Sequence, residues 1–181
     1  MVTTSSEARL GAIRLAWWRE RLEELDNEAQ VPAEPRLQAV TTELLPRGVT
    51  GKALSQFEDA WLPLLEPYPW GDRQAEALRL RGRILFGTGA ALLGAEPTEA
   101  EAVGELWSLV DGACHCSDPQ SRQLLLDTAR AITVGGRMQR KLRSLTVLGA
   151  LAVAAVHDPR SGMARGIAAT RHRLTGRIPP L

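Results

Sequence analysis

Cysteine is almost missing from this chain. Cys114 and Cys116 stand one residue apart and cannot staple distant segments, so no disulfide framework holds the fold. Val and Ile together number 15 against 52 Leu and Ala, a balance that argues against a β-rich fold and for an all-α one. Long apolar runs are lacking too. The longest nearly apolar stretch, Leu145 to Val156, is about half of the ~20 residues a helix needs to cross a bilayer. Met1 to Ser6 carries neither the basic nor the apolar segment of an export signal, so the expected compartment is the cytoplasm. No Trp, Tyr or Phe follows Trp107, and this disfavours nucleic acid as a partner, because single strands stack on aromatics interleaved with basic residues. The chain has no P-loop, no His-Glu-x-x-His, no spaced Cys pairs and no nucleophile elbow.

Helix punctuation, by contrast, is plentiful. The 181 residues suit one domain, 1–181. Thr4 to Glu7 reads as a capping box for a helix over Glu7–Leu25, with Leu15, Trp18, Leu22 and Leu25 as its buried stripe. Leu10, Ile13 and Trp17 are expected to widen that stripe, and Arg19/Glu23 and Arg21/Glu24 to form ion pairs along it. Further helices are predicted over 36–45, 51–65 (capped by Thr50), 72–93 (stopped by Gly94) and 98–115 (opened by a Thr98–Glu101 capping box). Asp118 followed by Pro119 predicts another over 119–133. After the Gly135-Gly136 break come 142–156 and, beyond Asp158-Pro159, a basic helix over 161–174. The expected architecture is a bundle of seven or eight helices around one core. The five tryptophans read as core or rim packing, and Gly87-Thr88-Gly89 as small residues that let two helices approach.

The net charge of +1 conceals an uneven distribution. From Arg137 to the C-terminus there are nine Lys or Arg and a single acid, Asp158, a net of +8; the residues before them hold 13 basic and 20 acidic groups, a net of −7. Such a stretch either pairs with the acidic remainder of its own fold or presents a surface to anionic lipid or an acidic partner. Arg165, Arg171 and Arg173 are the candidates for that surface.

Two clusters invite a metal reading. Cys114-His115-Cys116 fails it, because helical neighbours 100° apart do not converge on one ion. Asp111, His115 and Asp118 fall at i, i+4 and i+7, so on the predicted helix all three project from one face, where two carboxylates could hold Mg²⁺. The same spacing fits a solvated face that ends in the cap of the next helix.

The segment Ile13-Arg14-Leu15-Ala16-Trp17-Trp18-Arg19-Glu20-Arg21-Leu22 resembles the IRLxWWRxxL segment of the squalene/phytoene synthase family, particularly its bacterial and mitochondrial assembly-factor-like branches. Gly82 to Gly94, Gly104 to Asp111, Leu142 to Leu151 and Arg165 to Gly176 resemble the same family in fragments, as does the region from Pro32 to Leu45. The resemblance implies an isoprenoid synthase-like fold. It also implies an activity in which two Asp-rich motifs hold Mg²⁺ against prenyl diphosphates while a dry cavity shelters a carbocation. Of the first motif there is no trace, since Glu7 is the only acid before Ile13. The second is reduced to Asp111 and Asp118, with His115 where an acid is expected; imidazole is a poor ligand for hard Mg²⁺.

The expected function is therefore that of a non-catalytic relative, a binding or assembly protein with no cofactor. It would contact prenyl lipid or the inner face of a membrane as a peripheral protein. A protein partner or a second copy would cover any apolar groove that a missing N-terminal helix leaves open. The alternative is an active Mg²⁺-dependent prenyl diphosphate transferase, completed by another subunit or by residues upstream of Met1. In that case Arg14 or Arg19 would clamp phosphate opposite Asp111 and Asp118.

Overall fold

Prolines and glycines divide the chain into helices much as their chemistry dictates. The computed structural model describes residues 5–27, 31–134, 136–158 and 161–181. Thr4 of the first capping box, Gly135 and Pro159 lie outside the described residues. Nine α-helical segments and several 3₁₀ or π turns occur among the described residues, with no strand. No helix among them is long and apolar enough to cross a membrane. The contacts group into two compact units, one through Pro67 and one from Tyr68 to Leu181.

In the first unit, α1 (Ser5–Glu24) ends in a 3₁₀ turn, Leu25–Asn27. α2 (Pro35–Ala39) is capped by Glu34, whose carboxylate accepts from the Arg36 and Leu37 N–H groups at 2.7 and 2.9 Å. The helix does not continue as α to residue 45. A π turn (Val40–Leu44) takes over, and within it the Thr41 and Thr42 hydroxyls donate back to the Leu37 and Gln38 carbonyls. The single helix expected over 51–65 is also broken. It becomes α3 (Gly51–Ser55), α4 (Phe57–Trp61) and a 3₁₀ turn, Leu62–Leu65. Pro63 has no N–H to extend the ladder, which accounts for the last of these breaks. Thr50 caps α3 as its position predicts, at 3.1 Å from the Ala53 N–H. Asp26 adds a carboxylate at the same helix start, accepting from Gly51 and Lys52 N–H at 2.6 and 2.8 Å.

α1 itself departs from the expected amphipathic pattern. Leu25 is buried and Leu15, Trp18 and Leu22 are half-buried, but Leu10, Ile13 and Trp17 are 53, 65 and 40% exposed. Arg21 pairs with Glu24 at 2.6 Å, as the spacing suggests. Arg19 instead reaches Glu58 on α4 at 3.2 Å, because that carboxylate is the less exposed partner.

The second unit is built on α5 (Asp72–Leu92) packed against α6 (Thr98–His115). Their closest approach is at Gly82 and Gly104: a Cβ on either residue would overlap the other's carbonyl oxygen. Gly89 also meets a neighbour, Leu145, while Gly87 faces Pro97 at an ordinary distance. Small residues thus bring the helices together, with the tightest contact one turn earlier than the Gly-Thr-Gly segment. Gly94, with φ of +69°, ends α5 in the left-handed conformation that favours glycine. α6 starts without the expected box; its cap position falls on Pro97, and the Glu99 carboxylate accepts instead from the Glu96 N–H at 3.3 Å.

α7 (Pro119–Arg130), α8 (Arg143–His157) and α9 (Gly162–Thr175) complete the unit. Phe86, Ala90, Val103 and Leu142 form a buried cluster with Trp107, Leu145, Leu148 and Ile178 against it.

One polar contact ties α9 into this core. His172 is fully buried, with Nε2 2.9 Å from the Thr146 hydroxyl on α8 and Nδ1 3.1 Å from the Arg177 carbonyl. Burial pushes its pKa below the ordinary histidine value; the Arg177 carbonyl opposes the shift and the charge of Arg143 adds to it. The folded chain therefore favours neutral imidazole. The corresponding stability is complete above the unfolded pKa of about 6.5 and is lost as pH falls from there through the lowered folded value. The urea midpoint is expected to drop between pH 7 and pH 5, with a flatter dependence in His172→Gln. An equal slope in that variant would remove His172 from the account.

Candidate functional site

Asp111 sits on the last turn and a half of α6, half-buried, and its carboxylate is already engaged. Arg81 of α5 places Nη2 2.7 Å from Asp111 Oδ2. The same guanidinium donates through Nε to Ser108 Oγ at 2.9 Å and stands 5.4 Å over the Trp107 ring. Arg81 is only 9% exposed, so its charge needs this set of partners to be tolerated in the interior. A few residues away, Arg79 and Arg83 grip the buried Glu105 carboxylate from both sides, at 2.7 and 2.8 Å. The outer ends of both guanidiniums pair with Glu76 at 3.0 and 2.7 Å. Three alternate arginines of α5 thus bind α6 through carboxylates. The role is cohesive.

Of the two residues expected beside Asp111, His115 stays near it and Asp118 does not. The His115 ring is 80% exposed; its Nδ1 lies 2.8 Å from the Asp111 backbone carbonyl and 3.4 Å from the carboxylate. α6 ends at His115 and Cys116 is extended, so Asp118 does not share the helical face that its i+7 spacing suggests. Asp118 is the cap of α7, accepting from the Ser121 N–H at 2.7 Å and hydroxyl at 2.6 Å. Those hydrogen bonds hold its carboxyl below the usual range. Cys116 is buried while Cys114 is exposed, and partial burial with the charge of Asp111 pushes the Cys114 thiol up, away from thiolate. No group of three or more His, Cys, Asp or Glu among the described residues is placed to hold a metal ion. These donors do not fit Mg²⁺: one carboxylate neutralises a buried guanidinium and the other caps a helix.

Arg14 and Arg19 belong to the first unit. Arg14 is exposed on α1, and Arg19 is committed to Glu58. A largely apolar groove lies within the unit. It is about 320 Å³ in volume, with walls from Leu15, Trp18, Leu22, Val40, Phe57 and Trp61.

The basic C-terminal helix offers a different surface. Met163, Ile167 and Leu174 on α9 are 77, 62 and 70% exposed. At 100° per residue they form one stripe, with Arg171 on one flank and Arg173 on the other. Around this stripe run three concave surfaces that meet at Leu174. One is apolar, lined by Met163, Ile167 and Leu174; one is lined by Arg137, Arg171 and Arg177; one by Arg140, Arg143 and Arg173. Arg165 is not part of this face. It is half-buried and lies seven residues before His172, two helical turns along the same inward side.

Sequence reasoning grouped the three arginines by charge alone and missed both the apolar stripe and Arg81. The i, i+4, i+11 spacing of Met163, Ile167 and Leu174 was the available signal for the stripe. For Arg81 the signal was weaker: an arginine between two others in the alternating run Leu78-Arg79-Leu80-Arg81-Gly82-Arg83. No family model, no curated protein and no solved structure matches the chain.

Proposed function

We propose that this chain is a non-catalytic relative of the squalene/phytoene synthases, of isoprenoid synthase-like fold, that docks peripherally on an anionic membrane surface through α9. The observation that carries the reading is the exposed Met163/Ile167/Leu174 stripe set between arginines in a stretch of net charge +8. An interfacial helix needs an apolar face to enter the acyl boundary and cations to meet the headgroups.

The magnitudes are adequate. Burying three such side chains supplies on the order of 4 kcal/mol before the cost of adsorption. Each arginine near an anionic leaflet adds about 1 kcal/mol. The engaged state of Asp111 and Asp118 supports the non-catalytic half of the reading.

Ile167→Asp tests it. Because Ile167 is exposed, the variant should fold normally by circular dichroism yet lose about tenfold or more in affinity for phosphatidylglycerol vesicles. Undiminished binding by the folded variant would remove α9 as the docking element. Binding to a protein partner with no affinity for vesicles would replace the membrane with that partner.

A further inference from the structure

Beside the apolar stripe lies a groove of about 670 Å³ between α8, α9 and the 3₁₀ turn Arg140–Leu142. Its cations are not equivalent. Arg143 donates through Nη1 to the Arg173 and Leu174 carbonyls at 2.9 and 3.0 Å and closes the C-terminal end of α9. Arg140 and Arg173 line the same groove with no acidic partner among the described residues, and Asp158 is the only acid from residue 137 onward. Both side chains are exposed and line one groove, so an anion bound there would offset two like charges at once. Ser144 and Thr170 bring hydroxyl donors to the lining, and Val147, Ala169 and Leu174 make the rest of it apolar.

We propose that this groove is a headgroup site for a lipid phosphomonoester. Arg140 and Arg173 would meet the phosphate, and Leu174, shared with the apolar stripe, would meet the first part of the acyl chain. A phosphomonoester carries close to two negative charges and three acceptor oxygens at neutral pH, and it matches two guanidiniums better than the single charge of a phosphodiester does. The inference rests on the docking role of α9 and adds a selectivity to it: among anionic lipids, the surface chooses the monoester.

The experiment is vesicle sedimentation of the full chain. Phosphatidylcholine vesicles carry either phosphatidic acid or phosphatidylglycerol, matched in surface charge, and wild type is compared with Arg140→Gln/Arg173→Gln. The expected result is at least a fivefold preference of wild type for phosphatidic acid; the double variant, weakened toward both lipids by the loss of two surface cations, binds the two without preference. Equal affinity of wild type for both lipids, or a preference that survives in the double variant, would overturn the headgroup site and leave α9 docking in place. Failure of wild type to bind either vesicle would remove the docking role as well. Millimolar inorganic phosphate should leave binding to phosphatidic acid intact; full displacement by it would show the groove to read free phosphate and not a lipid.

Discussion

Gly82→Ala is expected to cost the chain about 3 kcal/mol of unfolding free energy, a large share of what a domain of this size possesses. A methyl group at Gly82 has nowhere to go: it would overlap the Gly104 carbonyl and stand against the Glu105 nitrogen. Backbone atoms cannot swing aside as a side chain can, so α5 and α6 must separate. That separation loosens the Phe86/Val103 cluster and stretches the Arg79–Glu105 and Arg83–Glu105 bonds together. Gly104→Ala should behave alike, for its Cβ would meet the Gly82 carbonyl and lie 2.8 Å from Phe86 Cβ. Gly166→Ala is the control, because nothing lies within 4 Å of a Cβ there. In mid-helix it should be neutral or stabilise by about 0.5–1 kcal/mol. Urea midpoints decide the matter; a Gly82→Ala midpoint equal to that of Gly166→Ala would refute the close crossing.

Arg81→Ala should be nearly as damaging, at about 2–3 kcal/mol, because it strips Ser108 and Asp111 of their donor and Trp107 of its overlying cation. Asp111→Asn alone should cost less, about 1 kcal/mol, since that side chain is 30% exposed and water can replace part of the bond. The double variant is the informative one. If Asp111 serves chiefly to neutralise Arg81, the two changes should couple by about 1–2 kcal/mol. Purely additive costs would free Asp111 for another role. The same proteins should release no pyrophosphate from farnesyl diphosphate with Mg²⁺ present; release that vanished in Asp111→Asn would restore the catalytic reading.

How much of this was legible in the residues varied with the physics involved. The all-helical class followed from composition, and the boundaries at Gly94 and Asp118-Pro119 followed from local chemistry that no distant contact overrides. Where distant contacts compete, the reading was less successful. The 36–45 helix gives way to a π turn over Val40–Leu44, where the Thr41 and Thr42 hydroxyls bond back to the Leu37 and Gln38 carbonyls and local spacing carried no sign of the change. Trp17 belongs by spacing to the buried stripe of α1, yet it is 40% exposed; periodicity identifies an apolar face without saying what covers it. The candidate site shows the same limit. Spacing placed Asp118 on one face with Asp111, a statement true only of a continuous helix, and the Asp118 carboxylate helps to end that continuity by capping α7. Arg81 decides the role of Asp111 from 30 residues away in sequence, a distance over which no local pattern carries information.

Contact of the α9 face with an anionic bilayer is the property on which the proposed function depends. Sedimentation of the wild-type chain with phosphatidylglycerol and with phosphatidylcholine vesicles, at low and at high salt, measures this directly. The stripe and its arginines predict pelleting with phosphatidylglycerol at low salt, weakening as salt screens the arginines, and little or none with phosphatidylcholine. A folded protein that ignores both vesicles, or binds both equally at every salt concentration, would contradict it.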